Sequence, residues 1–212
     1  MESYYLTVRP SGHAEQIIQK SRFIGYVKRV ETEEEAQQFI QDIKKQHHDA
    51  THNCSAYIIG ENNHIQKAND DGEPSGTAGV PMLEVLKKQN LRDTAIVVTR
   101  YFGGVKLGAG GLIRAYGNTT SLAIEQTGVI QRILMQGFIV ASDYSLIGKI
   151  ENELIHSDYV LDKIDYQEKA YFHIFVKIDD IEAFRNWLIN LTNDQVSIEQ
   201  IDQKFMEIPY ST

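Results

Sequence analysis

Three cations flank a glycine-rich segment near the middle of the chain. Arg100 lies before this segment, Lys106 lies inside it and Arg114 follows it. The segment contains five glycines, namely Gly103, Gly104, Gly108, Gly110 and Gly111. A glycine-rich turn that opens a helix exposes backbone N–H groups at the positive end of the helix dipole, which favours an anion such as a phosphate. These eight residues therefore form the candidate phosphate- or nucleic-acid-binding site.

The glycines also have a purely structural interpretation. Gly103, Gly104 and Gly108 are suited to the positive φ of tight turns, and Gly110 and Gly111 would let a helix pack close to a sheet. The segment lacks the Gly-Lys-Ser/Thr ending of a Walker A loop and the third glycine of a dinucleotide-binding fingerprint. The cations around the glycines, rather than the glycines themselves, therefore favour an anion site.

An acidic loop at residues 70–79 precedes the next helical pattern. Its acids are Asp70, Asp71 and Glu73. The loop has three interpretations. In the first, the acids hold a divalent cation through oxygen ligands, and in the second they support turns and cap the following helix together with Ser75 or Thr77. In the third, the acids pair with Arg100 or Arg114 and orient them. Capping is the favoured interpretation, and no metal site is predicted.

Two histidines and the single cysteine lie close together in the sequence. His48 and His52 are four residues apart, and Cys54 follows His52 at a spacing that places both on one face of a strand. A zinc site usually needs more cysteine or histidine ligands than these. Cys54 is therefore predicted to be a small core residue.

Two stretches carry a family resemblance. DDGEPSGTAG at residues 70–79 and RYFGGVKLGAGGLIRAYG at residues 100–117 resemble the signature of the IMPACT family, in particular of its bacterial YigZ-type branch. The resemblance implies an N-terminal domain like domain IV of elongation factor G and a C-terminal domain like domain V of that factor. It also implies a link to control of translation, because eukaryotic members inhibit activation of a stress-response kinase by competing for a scaffold protein on ribosomes. It brings no catalytic residue.

Composition bounds the class of protein. The chain has 212 residues, of which 42% are hydrophobic and 24% charged, with a net charge of −8. Residues 1–128 carry 14 Lys and Arg against 15 Asp and Glu, whereas residues 129–212 carry 7 against 14. A single cysteine fits a reducing compartment, and neither a signal peptide nor an apolar run long enough for a membrane span is present. We expect a cytoplasmic protein without a membrane partner.

Periodicity predicts an α+β protein of two domains, residues 1–128 and 129–212. In the first, a β-branched run at 95–102 predicts a buried strand, and Thr32 with Glu35 predicts a capping box before a helix ending near His47. Tyr4–Val8 is predicted as a strand followed by a turn at Pro10–Gly12. The second domain has the order βαββαβ, which is typical of a ferredoxin-like fold.

Three hypotheses for function remain open. The first is a non-enzymatic regulator of translation that binds the ribosome or structured RNA through the basic glycine loop, without a cofactor. The second is an enzyme acting on a phosphorylated small molecule, in which Asp70 or Asp71 would hold Mg²⁺. The third is a protein-interaction module, in which the acidic domain meets a basic protein partner. The cations around the glycine loop favour the first.

Overall fold

The computed structural model describes residues 3–210. This part of the chain divides into two compact units, one of Tyr5–Gln131 with residues 209–210, the other of residues 3–4 with Arg132–Ile208. The strands are β1 (Tyr4–Val8), β2 (Ser11–Ile18), β3 (Ser21–Arg29), β4 (His52–Ile59), β5 (Ile65–Asn69), β6 (Thr94–Tyr101), β7 (Val129–Ser142), β8 (Val160–Tyr166), β9 (Ala170–Lys177) and β10 (Ser197–Pro209). The α-helices are α1 (Glu33–Gln46), α2 (Gly79–Lys88), α3 (Gly108–Thr127), α4 (Ile147–Ile155) and α5 (Ile181–Thr192). The fold is mixed α+β, as the sequence predicts.

The first unit is built on an antiparallel sheet with the order β2-β3-β6-β4-β5. Its central strand β6 is the predicted β-branched run, and it is buried on both faces. Ile96 and Val98 pack under α2 and α3, whereas Ala95 and Val97 pack under α1 on the opposite face. Alternate residues of a strand point to opposite faces. Neighbouring residues at the end of β6 therefore face either α2 and α3 or α1.

Helix α1 begins as the sequence predicts. Thr32 Oγ1 accepts the Glu35 N–H at 3.2 Å, and Glu35 Oε2 accepts the Glu31 N–H at 2.7 Å. The carboxylate thus satisfies a backbone donor outside the helix while Thr32 satisfies one inside it. The Thr32 cap is confirmed, but the reciprocal bond from Glu35 is made to the N–H of Glu31, one residue before the N-cap residue to which a capping box makes it.

The prediction of a plain turn at Pro10–Gly12 is wrong. Ser11–Ile18 forms strand β2, which pairs with β3 from Ser11 opposite Lys28 to Ile18 opposite Ser21. The connecting turn uses Gln19 and Lys20 at φ values of 45° and 66°. Hairpin turns with positive φ usually contain Asn or Gly, so this one has no recognisable sequence signal.

The second unit has the predicted ferredoxin-like topology. Among its strands, β7 pairs with both β9 and β10, and β9 also pairs with β8. The side chains of α4 and α5 pack with those of β7 and β9 in one apolar core. Trp187 contacts Tyr159 and Phe184 in this core, so the single tryptophan is a packing residue, as its helical spacing indicates.

Candidate functional site

Asp70 caps helix α2 from a distance along the chain. Its Oδ1 accepts the N–H groups of Ala78 at 3.0 Å and Gly79 at 2.8 Å, and its Oδ2 accepts that of Gly76 at 2.8 Å. Burial raises the pKa of Asp70, but these three hydrogen bonds outweigh it and hold the pKa below its ordinary value. The capping role is therefore performed by Asp70, and not by Ser75 or Thr77 as an N-cap.

Asp71 binds two partners within the first unit. Its Oδ1 accepts a hydrogen bond from Lys44 Nζ at 2.6 Å, and its Oδ2 accepts the Asn53 N–H at 2.7 Å. Within residues 3–210, no group of three or more His, Cys, Asp or Glu residues is arranged to hold a metal ion. Both acids that were predicted as alternative Mg²⁺ ligands thus accept hydrogen bonds from the protein's own donors.

Glu73 and Arg100 form a buried ion pair. Arg100 Nη1 donates to Glu73 Oε1 at 2.7 Å, and the Tyr116 hydroxyl donates to the same oxygen at 2.8 Å. The Arg100 and Glu73 side chains are only 6% and 3% exposed. This is the third of the interpretations given to the acidic loop. It also corrects the placement of Arg100 among the phosphate-binding cations, because its guanidinium faces the core and not the loop surface.

Within the glycine segment, two glycines adopt the conformation that glycine favours. Gly104 and Gly108 have φ values of 83° and 70°. Gly103 has a different constraint, because a Cβ there would overlap the backbone of Lys20 and Ser21. Helix α3 begins at Gly108, so Gly110 and Gly111 lie in its first turn. A Cβ on Gly110 would meet only the Arg114 guanidinium, at 3.7 Å.

The N-terminus of α3 is open to solvent and carries uncompensated positive charge. No side chain caps it, and its first turn contains no acidic residue. Lys106 and Arg114 are exposed and make no ion pair or hydrogen bond among residues 3–210. Arg114 reaches back over Gly110, as side chains on helices do. Free N–H groups and two unpaired cations therefore share one exposed turn.

Lys20 is a further exposed cation beside the glycine segment. Its backbone carbonyl lies against Gly103, and Gly103 N–H donates to Ser21 Oγ at 3.3 Å. Sequence reasoning missed Lys20 because the hairpin that brings it here was not predicted. The alternation of exposed residues along β2 was the signal available.

His52 and Cys54 belong to the fold and not to a metal centre. His52 Nδ1 donates to the Asp71 carbonyl at 2.8 Å, and the Cys54 thiol donates to the Asp70 carbonyl at 3.0 Å. Cys54 is buried, and this burial raises the pKa of its thiol far above the ordinary value. The prediction of a core cysteine is confirmed, and both side chains help to hold the acidic loop.

The sequence of the first unit matches the family model described as the Impact N-terminal domain over residues 19–124, half of the chain. The chain belongs to the IMPACT family. Residues 140–195 match a second family model, a domain of unknown function named DUF1949. The glycine segment and the acidic loop both lie within the first match.

Relatives of this IMPACT-family chain are similar along most of their length. The chain is 57% identical over 203 residues to "IMPACT family member YvyE" of Bacillus subtilis, covering 96% of this chain and 94% of that protein. It is 34% identical to "IMPACT family member YigZ" of Escherichia coli, covering 75% and 82%. A solved structure titled "Crystal structure of an hypothetical protein" is similar with a TM-score of 0.61 and 28% identity, covering 95% and 99%.

Membrane-spanning helices are absent from the described part of the chain. None of the helices within residues 3–210 combines the length and the apolar character needed to cross a bilayer.

Proposed function

We propose that this chain is a non-enzymatic regulator of translation that binds structured RNA, on the ribosome, through the loop at residues 103–111. One observation carries the proposal: the uncapped N-terminus of α3 lies between the unpaired, exposed cations Lys106 and Arg114. The link to translation is the one that the family resemblance implies. RNA phosphates would accept hydrogen bonds from the first-turn N–H groups and pair with the two cations.

The other helices of the first unit show why α3 is distinctive. Helix α1 has three glutamates in its first turn and a capping threonine, and the first N–H groups of α2 are taken by Asp70. Both termini are thus already supplied with negative charge. The N-terminus of α3 lacks such a partner, so its dipole and N–H groups remain available to an external anion.

An aromatic side chain beside the loop supports an RNA ligand over a free phosphate. Phe102 is 47% exposed directly before Gly103, and the Arg100 guanidinium lies 5.5 Å from the centre of its ring. An exposed ring of this kind can stack on an unpaired base next to the bound phosphates. In this arrangement Arg100 positions the aromatic ring and does not contact phosphate itself.

The test is a binding titration with ribosomal subunits and with a structured RNA across a salt series. The double variant Lys106→Ala/Arg114→Ala removes the two cations, and Lys45→Ala/Lys88→Ala removes two exposed cations elsewhere in the same unit. Each phosphate contact contributes about 0.7–0.9 to the slope of log affinity against log salt. We therefore expect the first variant to flatten that slope by about 1.5 and the second to change it far less.

Two results would overturn the proposal. One is the absence of binding by the unaltered protein at low salt, and the other is equal weakening by both double variants. Equal weakening would indicate only a general effect of net charge. Phe102→Ala serves as an independent probe, and we expect it to weaken binding to RNA while leaving the salt slope unchanged.

A further inference from the structure

A second site lies on the other side of the first sheet, in a cavity of about 310 Å³ between α1 and the β4–β5 hairpin. Polar side chains from three elements converge on it because of their spacing. On α1, Gln37 and Lys44 are seven residues apart. On β4, Ser55 and Tyr57 are two residues apart, and on β5 the same spacing separates Lys67 and Asn69. Positions i and i+7 share a helix face, and i and i+2 share a strand face.

The cavity is rich in hydrogen-bond donors. Lys44 uses Nζ to bind Asp71, but an ammonium group carries three donors, so two remain. Lys67 is exposed and makes no ion pair or hydrogen bond among residues 3–210. Asn69 Oδ1 accepts the Asp71 N–H at 2.7 Å. The side-chain nitrogen of Asn69 carries two N–H donors and has no partner in the described chain.

Ser55 adds a hydroxyl to the wall of the cavity. It is only 5% exposed, it lines the cavity, and its hydroxyl makes no hydrogen bond with any of residues 3–210. The hydroxyl oxygen is not one of the buried unpartnered atoms of residues 3–210, so water reaches it from the cavity. An acceptor on a ligand would replace that water as the partner of the hydroxyl.

The carboxylate and the phenol beside the cavity are already engaged. Both Asp71 oxygens are bonded to Lys44 and Asn53, and the Tyr57 hydroxyl donates to Glu33. What remains facing the cavity is two ammonium groups, a hydroxyl and the side-chain amides of Gln37, Gln41 and Asn69, beside the ring of Tyr57. The amides can donate or accept, whereas the ammonium groups only donate and are positively charged, so a negatively charged ligand matches this wall best.

We propose that this cavity is a binding site for a small organic anion that carries carboxylate or phosphate groups. Its volume is within the range of small-molecule sites and too small for a folded polymer. The site is separate from the glycine segment, because α1 covers the sheet face opposite α3. The inference therefore goes beyond the proposed RNA binding and does not depend on it.

The experiment is isothermal titration calorimetry at low ionic strength with three probes, namely citrate, phenyl phosphate and inorganic phosphate. Citrate reports carboxylate binding, phenyl phosphate reports a phosphate monoester, and inorganic phosphate reports an anion without an organic part. Backbone amide shifts measured by NMR locate the bound probe. We expect saturable binding of citrate or phenyl phosphate, with shifts at Ser55, Lys67 and Asn69.

Variants distinguish this site from general attraction of anions. Lys67→Met keeps the aliphatic stem, removes one charge-assisted hydrogen bond and is expected to weaken binding roughly tenfold. Lys45→Met removes the same charge from the residue next to Lys44, outside the cavity, and is expected to leave the affinity within about twofold. Ser55→Ala is expected to weaken binding without loss of fold, which circular dichroism checks.

Three outcomes would overturn the inference. They are no saturable binding of any probe, equal weakening by Lys67→Met and Lys45→Met, and amide shifts confined to residues 103–111. The variant Lys106→Ala/Arg114→Ala is expected to keep the probe-induced amide shifts at Ser55, Lys67 and Asn69, whatever it loses at residues 103–111. Its result separates failure of this inference from failure of the RNA-binding proposal.

Discussion

The guanidinium of Arg100 and the carboxylate of Glu73 meet at 2.7 Å inside the first unit, with both side chains almost fully buried. Glu73 belongs to the acidic loop before α2, and Arg100 lies near the end of β6, directly before the glycine segment. Tyr116 joins them from α3. This cluster therefore links the acidic loop, the strand and the helix that present the candidate site.

Neutralising Glu73 tests this link. Glu73→Gln leaves the Arg100 charge buried without compensation, which typically costs about 3–5 kcal/mol in the free energy of unfolding. Glu84→Gln is the matched control, because it breaks the exposed ion pair with Lys87 and should cost less than about 1 kcal/mol. Urea denaturation of both variants measures the difference.

A double variant sharpens the result. Glu73→Leu/Arg100→Met removes both buried charges, so we expect it to be less destabilised than the sum of its single changes. Additivity of the two changes, or a Glu73→Gln cost no larger than that of Glu84→Gln, would show that the pair does not hold the loops together.

Gly103 and Gly110 form a second matched pair within one segment. An alanine at Gly103 would overlap the backbone of Lys20 and Ser21, so we expect Gly103→Ala to lower the unfolding free energy by about 1–3 kcal/mol. Gly110 has an open helical position, where alanine should stabilise by about 0.5–1 kcal/mol. Thermal unfolding measures both, and effects of the same sign and size would contradict the assigned roles.

The elements with strong local signals were predictable. The β-branched run of β6 and the Thr32 cap of α1 follow from residue type and spacing alone. Pairing of Arg100 with an acid of the loop was only one of three interpretations, because a cation at the end of a strand has the same local pattern whether it faces solvent or a buried acid. Asp70 likewise reaches α2 across several residues, so the nearer Ser75 and Thr77 were the more obvious caps.

Asp70 provides a prediction with a defined pH dependence. Asp70→Ala removes the acceptor of three backbone N–H groups and should cost about 1–2 kcal/mol of stability. Because the pKa of Asp70 is lowered in the folded protein, its contribution is present above the unfolded pKa and is lost as the pH falls through the folded pKa. The cost of Asp70→Ala should therefore shrink on acidification below about pH 4.

Ser75→Ala is the control for this change. Ser75 is exposed and its side chain makes no hydrogen bond among residues 3–210, so its replacement should change stability by less than about 0.5 kcal/mol. Denaturation curves of the two variants at pH 7 and pH 3.5 supply the comparison. A larger cost for Ser75→Ala than for Asp70→Ala would restore the capping role to Ser75.

A chain of hydrogen bonds at the end of β6, on the α1 side of the sheet, has a fixed direction. The Tyr101 hydroxyl donates to the Asp49 carboxylate at 3.1 Å, so its oxygen accepts from His47 Nδ1 at 2.9 Å. When the imidazole is neutral, His47 Nε2 accepts the Tyr26 hydroxyl at 2.7 Å. This arrangement requires a neutral imidazole with its proton on Nδ1, because a protonated His47 would have two N–H donors and no acceptor for Tyr26.

The pKa of His47 should therefore make stability depend on pH. Burial, followed by the nearby Arg22 charge, lowers this pKa below its ordinary value of 6.5, while Asp49 opposes the shift. The unfolded chain thus binds the proton more readily, and stability should be full above about pH 6.5 and fall as the pH drops through the folded pKa. We expect His47→Gln to reduce the dependence of the unfolding free energy on pH between pH 7.5 and 5.5.

His48→Gln is the control for this change, because His48 is an exposed neighbour that makes no hydrogen bond among residues 3–210. An equal effect of both changes would show that the pH dependence does not arise from the hydrogen bonds of His47.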